Sequence, residues 1–180
     1  MPTELNRLIN TLEEQRCALL AKLEDLRPGI LNAKPAADKW SILEILEHVV
    51  LAEQVILQGL PSWEALVERR RRLKHRALFQ LVMVILRFAI PVRVPSRRMN
   101  PGGRTSLAEL RRDWEAHGRW LRAYEDEFDP DGRRKAVFLH PVAGPITLVQ
   151  ALRMNLLHLR VHGRQIERLQ RAAAATAGRS

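Results

Sequence analysis

Residues 40–48, WSILEILEH, carry the start signal of a long helix. Ser41 and Glu44 stand three residues apart, as in a capping box. In that motif the serine side chain accepts the third helical amide and the glutamate accepts the cap amide. Trp40 and Ile45 have the spacing of the accompanying hydrophobic staple. The stretch therefore predicts a helix start at Ser41 and a largely buried Trp40.

This helix is predicted over about 42–58, because Gly59 then offers a C-cap. A first helix is predicted over about 3–27, ending before Pro28, and residues 30–38 are predicted as a loop. The first helix rests on apolar residues that recur largely at steps of three and four. They are Leu5, Leu8, Ile9, Leu12, Leu19, Leu23 and Leu26.

Two more capping boxes, at residues 106–109 and 147–150, begin a third and a fourth helix. Apolar periodicity carries the third helix to Phe128 and the fourth to about Ala173. Residues 129–132 are predicted as a turn. We find no convincing alternating strand pattern, so the fold class is all-α, and four long amphipathic helices favour a four-helix bundle. A single domain over 1–180 is expected, with an insertion at about 66–103 and a flexible tail at about 174–180.

The insertion between the second and third helices concentrates the charge. The chain has 30 Lys or Arg and 20 Asp or Glu. Segment 69–98 alone has ten Lys or Arg and no acid, so the remainder is balanced at 20 against 20. A uniformly basic nucleic-acid-binding protein is therefore disfavoured, and no nucleic-acid partner is expected.

The longest apolar run, from Ala77 to Ile90, lies in this segment and is interrupted by Gln80 and Arg87. It is too short to span a membrane, which takes about 20 apolar residues. We predict that it is helical with Gln80 and Arg87 on one face. Its remaining apolar surface must then be covered by the bundle, as a lid or flanking helix, by a dimer partner or by lipid.

The compartment is predicted from the cysteine count and the N-terminus. Cys17 is the single cysteine, so no internal disulfide can form, and we interpret it as structural rather than reactive. The first residues lack the basic and apolar regions of a signal peptide. We therefore expect a cytoplasmic protein.

Three histidines form a candidate metal site. His158 and His162 are four apart on the fourth helix, so both project from one face. His48 lies near the edge of the second helix's apolar stripe, and three imidazoles would converge if these helices face each other. Three histidines leave a coordination position open, as in catalytic zinc sites. The alternative is a chance pair of core histidines; a zincin is excluded because Leu159 follows His158.

Three stretches resemble the DinB/YfiT-like superfamily: residues 40–48, the loop at 140–147, and HLRVHGRQI at 158–166. In that family a Trp-Ser element precedes a metal-binding histidine, and a His-x-x-x-His-x-x-Gln pattern gives the other two ligands. The resemblance implies an antiparallel four-helix bundle with a divalent metal on His48, His158 and His162. Family members often have charged residues between the last two histidines, whereas this chain has Leu-Arg-Val.

The resemblance implies several activities. Some members are thiol S-transferases or thiol-dependent isomerases that use low-molecular-weight thiols, and others are metal-dependent hydrolases. The implied cofactor is a divalent metal, zinc before nickel, iron or manganese. The alternative is a non-catalytic binding or membrane-surface module that works through segment 69–98 on an anionic membrane surface. A homodimer is compatible with either.

Other polar residues receive local interpretations. His117 and Asn155 occupy inward positions and are candidates for supporting the metal ligands or for acid–base work, or else are hydrogen-bonded core residues. We expect His140 to form the turn with Pro141, and His75 to be solvated. Gln165 is expected to brace a loop or a ligand histidine.

Overall fold

The computed structural model describes residues 3–62, 71–90, 96–103, 105–127 and 136–177. These residues form six α-helices, one 3₁₀ turn (Arg97–Met99) and one two-stranded hairpin. In chain order the elements are α1 (Glu4–Glu24), α2 (Pro28–Asn32), α3 (Ile42–Gln58), α4 (Leu73–Arg87), α5 (Leu107–Asp126), β1 (Ala136–His140), β2 (Gly144–Thr147) and α6 (Leu148–Ala177).

The four long helices predicted from the sequence are α1, α3, α5 and α6. Both α1 and α3 pack against α5 and α6. Leucine and isoleucine side chains dominate the shared core, in which Trp114 is completely buried. Burial of this apolar surface is the main force that holds the helices together. Because α3 contacts α6, the helix that carries His48 lies beside the helix that carries His158 and His162.

All three predicted capping boxes are present. The Ser41 hydroxyl accepts the Glu44 amide at 3.2 Å, and the Glu44 carboxylate accepts the Ser41 amide at 2.8 Å. The same reciprocal pairs join Ser106 with Glu109 and Thr147 with Gln150. The predicted bounds of α3 are confirmed, because the signals at both of its ends are local.

The predicted end of the first helix was wrong by three residues. Helix α1 ends at Glu24, and the Leu26 amide then turns back to the Leu23 carbonyl. Arg27 is extended, as the residue before a proline usually is. Part of the predicted loop over 30–38 was also wrong, because Pro28 begins the short helix α2.

The expectation of no strands was wrong as well. Strands β1 and β2 pair antiparallel, with Phe138 opposite Ile146 and His140 opposite Gly144. The His140 ring accepts the amides of Val142 and Ala143, and Gly144 adopts a left-handed φ of 70°. The strand signal is weak because each strand is short; the turn contacts close the hairpin, and Phe138 and Ile146 hold it against the core.

The C-terminal ends of the last two long helices also differ from the predictions. Helix α5 ends at Asp126, and Phe128 and the predicted turn at 129–132 lie outside the described residues. Helix α6 continues to Ala177, so its predicted end near Ala173 was wrong, and the flexibility of the tail at about 174–180 stays a prediction. The run Ala172–Ala175 explains the extension, because alanine has the highest helix propensity.

Within the insertion, the apolar run predicted to be helical over 77–90 is confirmed as far as Arg87, where α4 ends; Phe88, Ala89 and Ile90 lie beyond the helix, so that part of the prediction was wrong. Gln80 and Arg87 are both exposed, as their shared face requires. Residues 63–70 and 91–95, which include Arg69, Arg70 and Arg93 of the insertion, lie outside the described residues. Among the helices in the described ranges, none has both the length and the hydropathy to cross a bilayer.

Candidate metal centre

His48 lies two turns into α3, a helix whose start is set by the Ser41 capping box. The residue is almost completely buried, at 4% exposure. The Trp40 ring lies against it with ring centroids 4.9 Å apart. Trp40 packs against the core and has only a minor part of its surface exposed, which agrees with the predicted burial. The local helix start therefore places His48, and the tryptophan covers one side of it.

His158 and His162 project from successive turns of α6, and their ring centroids are 4.5 Å apart. Each ring also meets the His48 ring edge to face, at 5.1 Å for His158 and 4.9 Å for His162. Both are half-buried, whereas His48 is buried. Contact between α3 and α6 thus brings the three imidazoles together, and the predicted convergence is confirmed.

The distances between nitrogens suit a shared cation. His48 Nε2 and His158 Nε2 are 3.2 Å apart, and one ring nitrogen from each of the three residues lies within 4.8 Å of the others. Two nitrogens bound to a tetrahedral zinc at about 2.0–2.1 Å are about 3.3 Å apart. The His48–His158 pair already has this separation.

Hydrogen bonds at the far side of two rings set their tautomers. His48 Nδ1 lies 2.7 Å from the Met99 carbonyl oxygen, and His162 Nδ1 lies 2.9 Å from the Gln165 side-chain oxygen. Each oxygen can only accept, so each Nδ1 carries the proton and donates. In the neutral rings both Nε2 atoms then carry a lone pair, and that of His48 faces His158 Nε2 at 3.2 Å. This arrangement, with the outer nitrogen bonded to a carbonyl, is typical of metal-binding histidines.

The protonation of the cluster also favours metal binding. Burial lowers the pKa of His48, outweighing the Met99 contact, which raises it. Burial and the neighbouring His162 and His48 bring the pKa of His158 well below its usual value. Burial, with the His48 charge, lowers the pKa of His162 to about 4. All three rings are therefore neutral at pH 7, the form that binds metals.

Glu47, next to His48, anchors the chain where it returns from the insertion. Its carboxylate accepts the amides of Gly102 at 2.9 Å and Gly103 at 3.0 Å and the Thr105 hydroxyl at 3.1 Å. Gly103 has a φ of 69°, which favours glycine. The 3₁₀ turn that contains Met99 packs against α3 just before this anchor. Glu47 therefore holds the segment whose carbonyl orients His48.

The chain matches the family model of the DinB superfamily over residues 11–166. The chain belongs to the DinB superfamily. The match includes α3 and the part of α6 that carries both histidines, and it ends at Ile166, just after Gln165. No curated protein and no solved structure matches the chain.

This DinB superfamily member thus has a three-histidine cluster, His48, His158 and His162, that can bind a metal. The donor set fits a divalent cation: neutral imidazoles suit zinc, nickel and iron, and two of the three already donate outward from Nδ1. His158 and His162 retain some exposed surface, so their side of the cluster is the one nearer to solvent.

The two predicted supporting residues, His117 and Asn155, both meet Glu53. The Asn155 amide donates to the Glu53 carboxylate at 2.9 Å, and His117 Nδ1 lies 3.6 Å from it. Glu53 also pairs with Arg16 and accepts the Trp114 indole at 3.2 Å. These contacts give both residues a packing role, and their participation in a reaction stays a prediction.

The structure also places the other residues that received a local interpretation from the sequence. Gln165 braces His162, and His140 forms the hairpin turn, as predicted. The prediction that His75 is solvated was wrong in part, because the residue is half-buried. Its ring lies so close to Gly144 that a Cβ added to that glycine would be 3.0 Å from it. Cys17 is a free, exposed cysteine beside the cleft between α1 and α5.

Sequence reasoning missed three polar groups: Glu47, Glu53 and the Met99 carbonyl. One sequence signal could have pointed to the Glu47 contact: the consecutive glycines Gly102 and Gly103 can present two successive amides to a carboxylate. Glu53 lies on the inward stripe of α3, where an acid needs a partner, but no pattern names Arg16 as that partner. A backbone carbonyl such as that of Met99 has no sequence signal.

Proposed function

We propose that this protein is a divalent-metal-dependent enzyme with a three-histidine centre, acting as a thiol S-transferase or a hydrolase. The observation that carries the proposal is the convergence of the three ring nitrogens, with outward hydrogen bonds at His48 and His162. Membership of the DinB superfamily supports it. We further propose an antiparallel four-helix bundle made of α1, α3, α5 and α6, and a cytoplasmic location.

The chain's own residues would have distinct roles. His48, His158 and His162 would hold the metal, zinc before nickel, iron or manganese, through one nitrogen each. Met99 and Gln165 keep two of the rings in the binding orientation. A bound divalent metal supplies a Lewis acid that lowers the pKa of a thiol or water at the open position. Trp40 limits water on the His48 side, and the accessible side would admit a low-molecular-weight thiol.

Metal analysis of protein purified without an affinity tag tests the centre. We expect one equivalent of metal in the natural sequence and a stoichiometric loss in His48→Ala and His162→Ala. His140→Asn is the matched control, because an asparagine oxygen can accept the same turn amides. Full occupancy in both alanine variants, with unchanged unfolding midpoints, would place the metal elsewhere and disprove the proposal.

The reaction class is tested with the zinc-, nickel-, iron- and manganese-loaded protein. One assay follows transfer of a low-molecular-weight thiol to an electrophile, and the other follows hydrolysis of esters and amides. We expect metal-dependent turnover in one assay, lost in His162→Ala and kept in His140→Asn. Metal binding with no turnover in either assay would favour the alternative, a non-catalytic module that works through segment 69–98.

A further inference from the structure

Helix α4 has two apolar sides, and the protein covers one of them. Phe79 is buried at 6% exposure, and Val82, Met83 and Leu86 pack against the core. Through this side α4 contacts α6 and β2. A broad apolar face of a helix is normally buried against another surface. Here the second side has no cover within the described part of the chain.

The uncovered side is a continuous stripe. Its members are spaced four, four, three and four residues apart, so they share one face of the helix: Leu73, Ala77, Leu81, Val84 and Phe88. Leu73 is 81% exposed, Leu81 52%, Val84 44% and Phe88 68%. The stripe is about 22 Å long at 1.5 Å per residue. Exposed apolar stripes of this length mark interaction surfaces.

The insertion that contains the stripe carries charge of a single sign in its described residues. Described residues 71–90 and 96–103 contain six arginines, one lysine and no Asp or Glu. Lys74 and Arg76 are exposed in the first turn of α4, and Arg87 is exposed in the last. An apolar face bordered by cations is the composition of helices that lie in the headgroup region of anionic bilayers.

We propose that α4 docks this DinB domain on the surface of an anionic phospholipid bilayer. The helix lies parallel to the membrane plane, with Leu81, Val84 and Phe88 among the acyl chains. Its cations meet lipid phosphates. Because the opposite side of α4 packs on α6, the membrane-bound protein keeps its folded core.

Charge argues against a second copy of this chain as the occupant. A symmetric dimer through α4 would bring two acid-free cationic segments together, and like charges across an interface oppose association. A bilayer with anionic lipids covers the same apolar stripe and neutralises the same cations. The proposal does not depend on the metal centre, since it uses no histidine of the cluster.

Flotation of the full chain with vesicles tests this surface. We expect recovery with vesicles of phosphatidylglycerol and phosphatidylcholine at low salt, and little recovery with phosphatidylcholine alone. High salt should reduce binding by screening the cations. Lys74→Gln/Arg76→Gln should weaken the partition coefficient about fivefold per cation removed. Leu81→Ser/Phe88→Ser should weaken it by roughly tenfold or more, because less apolar surface is buried.

The matched control is Arg119→Gln/Trp120→Ser on α5, which also removes an exposed cation and an exposed apolar side chain. It should bind vesicles as the natural sequence does. Urea unfolding checks that each variant is folded. If Leu81→Ser/Phe88→Ser does not fold, the vesicle binding of Lys74→Gln/Arg76→Gln still tests the proposal. Absent vesicle binding, or equal losses in the α4 and α5 variants, would overturn the proposal. So would a dimer that Leu81→Ser/Phe88→Ser converts to a monomer, because a second copy would then occupy the stripe.

Discussion

Gln165 accepts a hydrogen bond from the outer nitrogen of His162, so its side chain acts on the candidate metal centre through that ring. Replacing Gln165 with Ala should weaken zinc affinity about 10–100-fold, the usual effect of removing such an outer partner. Competition with a chromogenic chelator measures this. Gln165→Glu should restore much of the affinity, because a carboxylate accepts the same proton. Gln170→Ala on α6 is the control, and equal affinities in all three variants would contradict the orienting role.

Glu53 is a buried carboxylate, at 1% exposure, that meets Arg16, Trp114 and Asn155. Burial alone raises its pKa, but the contacts with His117, Arg16 and Asn155 outweigh burial and hold the pKa below the usual 4.5. Because the folded pKa is the lower one, the ionised group stabilises the fold above the unfolded pKa. That stabilisation is lost as the pH falls through the folded value.

Glu53→Gln should therefore lower the free energy of unfolding at pH 7 by about 3–5 kcal/mol, since Arg16 stays buried without its counter-ion. It should also flatten the decline of stability on acidification. Urea unfolding between neutral pH and about pH 4 measures both effects. Glu13→Gln is the control, because Glu13 lies 3.9 Å from the same arginine but is exposed, and its loss should cost under about 1 kcal/mol. Equal losses in the two variants would contradict the importance of burial.

At the scale of elements, alanine substitutions at two glycines, one at the end of α3 and one within α6, should change the free energy of unfolding in opposite directions. Gly59 ends α3 with a right-handed φ of −84°, so alanine would fit its backbone. An added Cβ would, however, lie 2.6 Å from the Phe138 ring on the hairpin. Gly59→Ala should destabilise the protein by about 1–3 kcal/mol through overpacking. Gly163→Ala in α6 should stabilise it by about 0.5–1 kcal/mol, because nothing lies within 4 Å of its added Cβ.

Chemical unfolding of both alanine variants measures these changes. A double-mutant cycle of Gly59→Ala with Phe138→Leu should show coupling, because the smaller side chain relieves the contact. A stabilised Gly59→Ala variant would mean that the hairpin is not seated against the end of α3. The sequence identified Gly59 as a helix terminator, but the reason that the position excludes a side chain lies in β1.

At the scale of the whole molecule, the candidate centre joins α3 to α6, two helices that meet only after folding. A metal bound to His48, His158 and His162 should therefore stabilise the folded state, by about 2.7 kcal/mol at a free metal concentration 100 times the Kd. Thermal unfolding with added zinc measures the shift in midpoint. The shift should vanish in His48→Ala and persist in His140→Asn. Metal that binds without raising the midpoint would contradict a site that depends on the fold.

The amino-acid sequence by itself determined the starts of α3, α5 and α6 and the pairing of His158 with His162. A capping box joins residues three apart, and a helical histidine pair joins residues four apart, so both depend on local geometry. It also predicted the inward face of α3 that carries His48. The motifs at 40–48 and 140–166 were enough to predict the family.

Only the tertiary structure decided how the site is finished. Met99 is 51 residues from His48, and Gly102 is 55 residues from Glu47, so no local period relates them. The hairpin depends on packing of Phe138 and Ile146 in the core rather than on a long strand pattern. The side of α4 that is left uncovered depends on its docking against α6 and β2. Contacts between distant segments require the whole chain to fold, because the free energy that forms them comes from packing.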